Sequence, residues 1–464
     1  FFELGGDSIR MIRLISLLKS AFNIQIKNQE IFKLITIEEQ AKYICEKTGN
    51  VPEVSVDSKE TINNENTDNG ENKSVPENYG ILSSAQKRQW FLYKLDPECP
   101  NYNNTIALSV EGMIVIPCIK MALYQLIERH DILRTKYCEY DQACYQVVDK
   151  DAILNIDEID LSRLAAEELE AELKMLYAKE ANTVIKIDVD IPIRAKIIRC
   201  SANKIILLMS IHHIASDGWS MRVLLQDLSE IYSDIIKYGR SRKSELKIQY
   251  MDYAEKQHDF MKSDEYRRQL AYWKEELVDA PPALKIFDDV ISETYNDNEG
   301  KRLYFEINEQ LSEKIKQLCS KKNCTLYMFM LSAFAVMLQR YSNQNDMVLG
   351  TLIANRNKEE LESMIGFFVN SLPLRLNVDP DSKFNELLEC VKNKTLNMYD
   401  NQDVQFDALV DELNIGRTAG KNPLFQIIFV VQNAQIEEMD DENAHWGMKI
   451  LDSETSKFDL IIQI

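Results

Sequence analysis

Two adjacent histidines, His212 and His213, have the setting best suited to proton transfer in this 464-residue chain. They end an apolar run that begins at Ile205 and is typical of a buried strand, and the turn Ser216-Asp217-Gly218 comes next. Beyond the turn, apolar residues recur at helical spacing, which predicts a helix. A histidine between a rigid strand and a helix can face a cleft and act as a general base. An isolated histidine pair is more often simply packed in a core.

Ser8 is a second candidate for chemistry, because it comes after two glycines and an aspartate just ahead of a helical pattern. At a helix N-terminus, free backbone N–H groups and the helix dipole favour an attached phosphate. A serine at such a position is more often only a helix cap. The local residues leave both roles open.

The composition describes a globular protein with sizeable cores, since 45% of the residues are hydrophobic and 28% are charged. A net charge of −20 disfavours nucleic acid and anionic membranes as partners. Nine cysteines without CxxC or CxxH spacing predict a reducing cytoplasm. The longest apolar helical stretch, Leu326 to Leu338, is too short to cross a bilayer. Three histidines lack ligand-like neighbours, so we expect no metal site: His130, His258 and His445.

The chain changes character twice along its length. Residues 1–45 predict a small helical domain, and residues 46–80 are polar and without period, which indicates a disordered linker. A flexible linker of that length spans about 30–35 Å, so the first domain can reach several faces of the larger region beyond the linker. After residue 80, strand and helix patterns mix, which predicts an α/β (α+β) fold. They include strands near Ile106–Glu111, Ile191–Ile197, Leu303–Ile307 and Met347–Ile353, and a helix from Pro117.

The residues His212-His213-x-x-x-Asp217-Gly218 resemble the HHxxxDG signature of condensation domains of nonribosomal peptide synthetases. Further stretches resemble other motifs of that family: Ser83 to Trp90, Arg129 to Thr135, Tyr250 to Ala254, Ile365 to Arg375, Asn401 to Phe406 and Lys421 to Gln426. Arg417 to Gly420 departs somewhat from the family pattern. Leu4 to Ile9, LGGDSI, resembles the attachment motif of a peptidyl carrier protein.

The resemblance implies a carrier domain and then two chloramphenicol-acetyltransferase-like lobes in a V-shaped pseudo-dimer, with a tunnel between them. We expect the lobes to cover residues 81–275 and 276–464. In such carriers a further helix would precede Phe1, and in condensation domains another strand and helix would come after residue 464. Both domains are therefore expected to be truncated.

The resemblance also implies the reaction. Ser8 would carry 4′-phosphopantetheine, which holds a donor acyl or peptidyl thioester, and the condensation domain would join the acyl group to an α-amine. That amine would belong to an amino acid on a downstream carrier. The expected partners are an upstream adenylation domain, downstream adenylation and carrier domains, and a phosphopantetheinyl transferase. The activity would be that of a peptide-bond-forming acyltransferase.

The same resemblance implies roles for the central residues. His213 is expected to orient the amine and take its proton, while His212 supports it. Gly218 permits the close turn and offers its N–H to the developing oxyanion. Asp217 is expected to be structural, because a buried carboxylate needs a partner, and Arg134 is the candidate for that partner.

Further residues are candidates for lining the tunnel: Asn370, Trp219 and Ser220. For Asn370, a structural role at a strand end is equally open. Asn401 and Gln402 are either tunnel contacts or turn residues.

Three other interpretations share parts of the pattern. Epimerisation domains have the same fold and HHxxxDG motif, and carriers that feed them often read GGDSI. Ser83 to Trp90, Ile365 to Arg375 and Asn422 to Gln426 favour condensation instead. Heterocyclisation domains would replace both histidines with aspartates. A non-catalytic platform that recruits tailoring enzymes usually loses the histidine motif, which is intact here. Nothing the size of an epimerisation domain separates the carrier from the large region, which favours an L donor.

Overall fold

The computed structural model describes residues 36–48, 79–141, 143–281, 300–413, 422–432, 438–451 and 458–464, with the single positions 18, 22, 284, 415 and 456. Three sequence predictions fall wholly or largely outside these residues: the LGGDSI motif with Ser8, most of the predicted linker, and the divergent stretch at 417–420. The helix Ile37–Thr48 crosses residue 45, which was predicted to end the first domain.

The described residues contain α-helices that we number in chain order. They are α1 (Ile37–Thr48), α2 (Ser84–Leu95), α3 (Ile116–Arg129), α4 (Ala166–Ala181), α5 (Gly218–Tyr238), α6 (Tyr250–Phe260), α7 (Asp264–Glu276), α8 (Glu309–Lys321), α9 (Leu326–Ser342), α10 (Glu359–Glu362), α11 (Phe384–Asp400) and α12 (Phe406–Glu412). Two short 3-10 helices cover Asp131–Arg134 and His213–Ala215.

The strands form three sheets. They are β1 (Tyr79–Ile81), β2 (Asn103–Gly112), β3 (Thr135–Tyr140), β4 (Ala143–Val148), β5 (Ile156–Asp160), β6 (Ile193–Arg199), β7 (Lys204–His212), β8 (Asp346–Ile353), β9 (Asn370–Asn377), β10 (Ile427–Val430), β11 (Glu438–Asp440), β12 (Ala444–Ile450) and β13 (Leu460–Gln463). The sheet orders are β1-β4-β3, β13-β10-β8-β9 and β11-β12-β2-β7-β6-β5. Mixed α/β architecture is thus confirmed.

The strand β7 lies inside the six-stranded sheet, between β2 and β6 and antiparallel to both. Its residues alternate between two hydrophobic clusters, as the two-residue period of a strand requires. Ile205, Leu207 and Met209 pack with α3 and α5, whereas Ile206 and Leu208 pack with α4 on the opposite face. This explains why the run from Ile205 to Met209 is apolar at every position, and it makes the end of β7 a rigid support for the two histidines.

The four-stranded sheet has its own core. α9 and α11 pack on it through Leu331, Phe334, Leu338, Leu387 and Val391, all buried. The predicted strand near 347–353 is confirmed as β8, and those near 106–111 and 191–197 are confirmed as β2 and β6. The helix predicted from Pro117 is confirmed as α3.

Two strands from the predicted second lobe join the first sheet. β12 pairs antiparallel with β2 from Ala444↔Gly112 to Ile450↔Ile106, and β11 pairs with β12. The side chain of Trp446 is fully buried against the ring of Tyr232, 5.7 Å between centroids. Although both strands lie within the range predicted as the second lobe, 276–464, they extend the six-stranded sheet. A strand pattern shows only that a segment pairs, not which sheet it joins.

The predicted strand at 303–307 is wrong. In the described part of the chain this segment has no strand partner, and Leu303 and Tyr304 are 89% and 80% exposed. Alternating apolar residues favour an extended chain, but a strand forms only where a neighbour satisfies its backbone hydrogen bonds. Within the described residues, none of the helices combines the length and apolar character that crossing a membrane requires.

Candidate functional site

His213 begins the short 3-10 helix directly after β7. Its backbone N–H donates to the carbonyl of Tyr102 at 2.6 Å, and its ring Nδ1 lies 2.7 Å from the carbonyl oxygen of Ser216. Because a carbonyl can only accept, Nδ1 must carry a proton. In the neutral ring the lone pair is then on Nε2, which can accept a proton. The half-buried ring is thus oriented as a base.

His212 has a different environment, although it is adjacent in sequence. Its side chain is buried, and its Nδ1 accepts a hydrogen bond from the N–H of Ile214 at 3.1 Å. The rings of Tyr93 and Tyr102 each lie 6.4 Å from the His212 ring. His212 therefore packs at the strand end, whereas His213 is the more accessible of the two.

Asp217 caps the N-terminus of α5 and is fully buried. Its Oδ1 accepts hydrogen bonds from the backbone N–H of Ser220 at 2.9 Å and from the Ser220 hydroxyl at 2.7 Å. The Oδ2 atom accepts from the N–H of Phe368 at 3.0 Å. The carboxylate thus joins the start of α5 to a segment 151 residues further along the chain.

Arg356 supplies the positive charge that Asp217 needs. A terminal guanidinium nitrogen of Arg356 donates to Asp217 Oδ1 at 3.1 Å, and the two side chains are 1% and 0% exposed. The guanidinium also donates to the carbonyl of Met364 at 2.6 Å and lies 4.1 Å from the ring centroid of Phe368. Burial lowers the pKa of Arg356, and Asp217 opposes that lowering. An arginine stays charged in this setting, so the site contains a buried ion pair.

The predicted partner of Asp217 was wrong. Arg134 donates instead to Asp131 at 2.5 Å, three residues back in the same 3-10 helix. The carboxylate of Asp131 lies within reach of Arg134 because both residues are in the same short helix. The side chains of Asp131 and Arg134 are both partly exposed. Arg356 was missed because it lies 139 residues from Asp217. The one local signal is an arginine just after the apolar strand β8, where a buried charge requires a partner.

A stretch that we call the 365–368 segment is held by side chains from the predicted first lobe, residues 81–275. Each bond involves a backbone group of the segment: Ile365 N–H to His130 Nδ1 at 3.4 Å, Gly366 N–H to Ser220 Oγ at 3.0 Å, Phe368 N–H to Asp217 Oδ2 at 3.0 Å, and Tyr250 O–H to the Phe367 carbonyl at 2.6 Å. Burial raises the pKa of Tyr250 well above its usual value, so Tyr250 stays a donor.

Phe367 is the residue of this segment that meets the histidine site. Its ring centroid lies 4.8 Å from that of His213, and the guanidinium of Arg88 lies over the same ring at 5.9 Å. Because the flanking backbone is fixed by Tyr250 and Asp217, Phe367 has little freedom to move. The second half of the chain therefore contributes one wall of the His213 environment.

Gly366 is required for this close packing. An added Cβ would lie 2.2 Å from a ring carbon of Tyr250 and 2.6 Å from one of Phe368, and both rings are buried. We expect Gly366→Ala to lower the free energy of unfolding by about 1–3 kcal/mol, as overpacking does. Chemical denaturation checks this. Gly218→Ala is the matched stability control, since its Cβ would meet nothing within 4 Å. An unchanged stability for Gly366→Ala would contradict the packing described here.

The residues predicted to line a tunnel divide into two groups. Ser220 is fully buried within the Asp217 network, so that prediction is corrected. Asn370 is also buried. Its side-chain amide donates to the carbonyls of Val404 and Gln402, and its Oδ1 accepts from the N–H of Phe406. These bonds favour the structural role at a strand end, which the sequence left open. Trp219 is half-buried, and its Nε1 donates to the carbonyl of Glu362 at 2.9 Å.

Gly218 is the exposed residue of the signature motif. Its φ lies outside the positive region, so the turn itself does not require glycine, which corrects that expectation. Gly218 is the first residue of the long helix α5, where backbone N–H groups have no partner within the helix. Its lack of a side chain leaves space above that N–H.

His130 belongs to a second buried network. Its Nε2 lies 2.8 Å from Asp227, and Nδ1 accepts the N–H of Ile365, so the ring is neutral with its proton on Nε2. Burial lowers the pKa of His130, consistent with a neutral ring. Burial alone would raise the pKa of Asp227, yet its partners lower that pKa. Since His130 is neutral, Arg129 and Lys243, each 2.8 Å away, supply the charge. No group of three metal-ligating side chains occurs among the described residues.

Two family models match the chain. One is the phosphopantetheine attachment site, over residues 1–44, and the other is the condensation domain, over residues 77–464. The first match includes Ser8, and the second includes every site residue described above.

Several curated proteins are similar along the whole chain. Bacitracin synthase 3 of Bacillus licheniformis is 31% identical over 464 residues, which is 100% of this chain and 7% of that protein. Bacitracin synthase 1 of the same organism is 31% identical over 468 residues, again 100% of this chain and 8% of that protein. The chain thus spans less than a tenth of the length of these two relatives.

Solved structures share the fold. The X-domain from teicoplanin biosynthesis gives a TM-score of 0.74 at 21% identity, covering 84% of this chain and 85% of that one. The first condensation domain of the calcium-dependent antibiotic synthetase, in complex with a substrate analogue, gives 0.70 at 19% identity, covering 84% and 87%. The chain belongs to the condensation-domain family of nonribosomal peptide synthetases, with a phosphopantetheine attachment segment ahead of the condensation domain.

Proposed function

We propose that this chain is an acyltransferase that joins a donor acyl or peptidyl thioester to the α-amine of a carrier-bound amino acid. The observation that carries the proposal is the orientation of His213. Its Nδ1–H donates to the Ser216 carbonyl, so in the neutral ring the lone pair that can accept a proton is on Nε2. Membership of the condensation-domain family supports the same reaction.

Ser8 is the proposed attachment residue for phosphopantetheine, because it is the serine of LGGDSI within the matched segment 1–44. When attached, the group supplies the thiol that holds the donor as a thioester. Since the carrier segment precedes the condensation domain, Ser8 should hold the donor rather than the acceptor. A linker of the predicted length lets it travel about 30–35 Å.

The energy of the reaction indicates what His213 must do. A free α-amine has a pKa of about 7.7–8.0, so deprotonating it near pH 7 costs only about 1 kcal/mol. Holding the amine in line with the thioester is worth roughly 7–11 kcal/mol, and a positioned base about 10²–10⁴-fold. His213 therefore orients the amine and takes its proton as the C–N bond forms. The C–S bond then breaks, and the protonated ring can return that proton to the departing thiolate.

Gly218 is proposed to stabilise the negative charge that develops on the thioester oxygen. Its N–H is the first of the long helix α5, where the helix dipole favours negative charge. Asp217 does not compete for that N–H, because its hydrogen bonds go to Ser220, Phe368 and Arg356.

The proposed reaction requires further partners in the whole synthetase. We infer an upstream adenylation domain that loads Ser8, downstream adenylation and carrier domains that present the acceptor, and a phosphopantetheinyl transferase. An L donor is favoured. The nine cysteines, without CxxC or CxxH spacing, support work in a reducing cytoplasm.

Two other functions use the same fold. A solved complex of the X-domain and OxyB from teicoplanin biosynthesis has a TM-score of 0.73 with this chain, and such a domain would correspond to the platform that recruits tailoring enzymes. Epimerisation would use the same histidine motif on a single carrier-bound substrate. At 21% identity the likeness shows the fold alone, and the paired histidines favour catalysis.

The product distinguishes these functions. Ser8 is loaded with an aminoacyl-pantetheine, an aminoacyl acceptor carrier is supplied, and thioester-bound products are released for mass and chirality analysis. Dipeptide on the acceptor carrier is the expected result. Inverted donor without dipeptide would replace the proposal with epimerisation, and unchanged donor would favour the platform.

We expect Ser8→Ala to abolish modification by phosphopantetheine completely, because the serine hydroxyl is the proposed attachment point. Intact-mass spectrometry after incubation with coenzyme A and a broad transferase checks this. The unsubstituted chain should gain one prosthetic group. A variant with another serine replaced, Ser20→Ala, serves as the control and should be modified normally. Modification that persists in Ser8→Ala would refute the assignment.

A further inference from the structure

Cys319 and Cys324 are brought together by the way in which α8 ends. Asn323 has a left-handed backbone with φ of 49°. The N–H of Asn323 donates to the carbonyl of Ser320 at 3.2 Å, and the N–H of Cys324 donates to that of Cys319 at 3.1 Å. These two bonds define a Schellman motif, in which the side chains at the positions of Cys319 and Cys324 commonly contact each other. Here both of those side chains carry thiols.

The two thiols differ in access. Cys319 is 6% exposed, whereas Cys324 is half-buried at the turn. Burial raises the pKa of Cys319 to about 11, and a hydrogen bond between the two thiols adds to the rise. Cys324 is therefore the thiol that an external reagent reaches first. Two lysines of the turn, Lys321 and Lys322, would attract an anionic reagent to it.

We propose that Cys319 and Cys324 form a disulfide when an anionic small-molecule disulfide, such as glutathione disulfide, reaches this helix end. The Cys324 thiolate attacks one sulfur of the oxidant, which breaks the S–S bond of the oxidant and releases one glutathione thiolate. Cys319 then loses its proton and attacks the Cys324 sulfur, releasing the second glutathione. The two thiols lose two protons and two electrons, and the oxidant is reduced to two glutathione molecules. The closed ring would fix the α8–α9 turn.

Trypsin gives a direct readout, because it cuts at Lys321 and Lys322 between the two cysteines. The folded full chain is incubated with glutathione disulfide at pH 8, free thiols are alkylated, and the chain is denatured, alkylated again and digested. We expect peptide 317–321 linked to peptide 323–340 by a disulfide. Cys319→Ser should instead leave Cys324 as a mixed disulfide with glutathione, and Cys324→Ser should leave Cys319 largely alkylated.

The chain also offers a matched internal control. Cys138 and Cys144 are six residues apart, but in the β3–β4 ladder they pair with Tyr145 and Glu139 and so point to opposite faces. They should not become linked to each other. The oxidised chain should also melt a few degrees higher than the reduced one, and Cys324→Ser should remove that shift. The proposal would be overturned if the Cys319–Cys324 disulfide formed only when the chain is unfolded in urea. It would also be overturned if a Cys138–Cys144 disulfide formed as readily.

Discussion

Asp217→Ala and Arg356→Ala are each expected to lower the free energy of unfolding by about 3–5 kcal/mol, because each leaves a buried charge without its partner. The two side chains are 0% and 1% exposed, so water cannot replace the lost contact. A double-mutant cycle measured by chemical denaturation should show strong coupling. The double variant should be much less destabilised than the sum of the two single variants.

Arg134 supplies the control for this cycle. It binds Asp131 on a partly exposed helix and not Asp217, so Arg134→Ala and Asp217→Ala should be additive within about 0.5 kcal/mol. Arg356→Lys should restore little, because a single ammonium cannot replace bonds to Asp217 and Met364 together with stacking on Phe368. Additive losses for Asp217→Ala and Arg356→Ala would show that the two side chains do not interact.

Local patterns predicted much of this molecule. The run from Ile205 to Ile211 is apolar at every position except Ser210, and β7 is buried on both faces. The predicted turn at Ser216-Asp217-Gly218 lies correctly at the start of α5, where Asp217 caps the helix. The position of the histidine pair between those elements was therefore predictable from sequence.

Contacts between distant segments could not be predicted in the same way. Nothing in the sequence around Arg356 indicates that it faces Asp217. Arg134 was predicted instead because it lies in a stretch that resembles a family motif, Arg129 to Thr135. The strand β12, which contains Trp446, lies in the range predicted as the second lobe, yet it pairs with β2. Only the fold shows that the ring of Phe367 lies beside that of His213. These contacts share one property, because each joins residues more than a hundred positions apart and so leaves no local period in the sequence.

His213→Ala is expected to slow amide formation by about 10²-fold or more, with little change in the free energy of unfolding. The ring is half-buried, and its Nδ1 bonds to the nearby Ser216 carbonyl. Its loss therefore removes the proton acceptor, whereas the Asp217 network that binds the 365–368 segment stays intact. Rapid-quench kinetics and denaturation on the same preparations check both parts.

His212→Ala is the matched variant, one residue earlier in the chain. It removes a buried ring that accepts the N–H of Ile214 and packs beside Tyr93 and Tyr102, so its main effect should be on stability. At a temperature where both variants are folded, amide formation by His212→Ala should exceed that by His213→Ala. Equal rate losses together with equal destabilisation would indicate that both histidines are only packed core residues.

Single-turnover amide formation tests the account most directly. The chain carries an aminoacyl group on phosphopantetheine at Ser8, excess aminoacyl acceptor carrier is added, and product is quenched on the millisecond to minute scale. We predict dipeptide in one exponential phase for the unsubstituted chain, and a rate at least about 10²-fold lower for folded His213→Ala. Dipeptide formed at the same rate by both proteins would contradict the assignment of His213 as the base. No dipeptide from either, with both carriers shown to be loaded, would contradict amide formation itself.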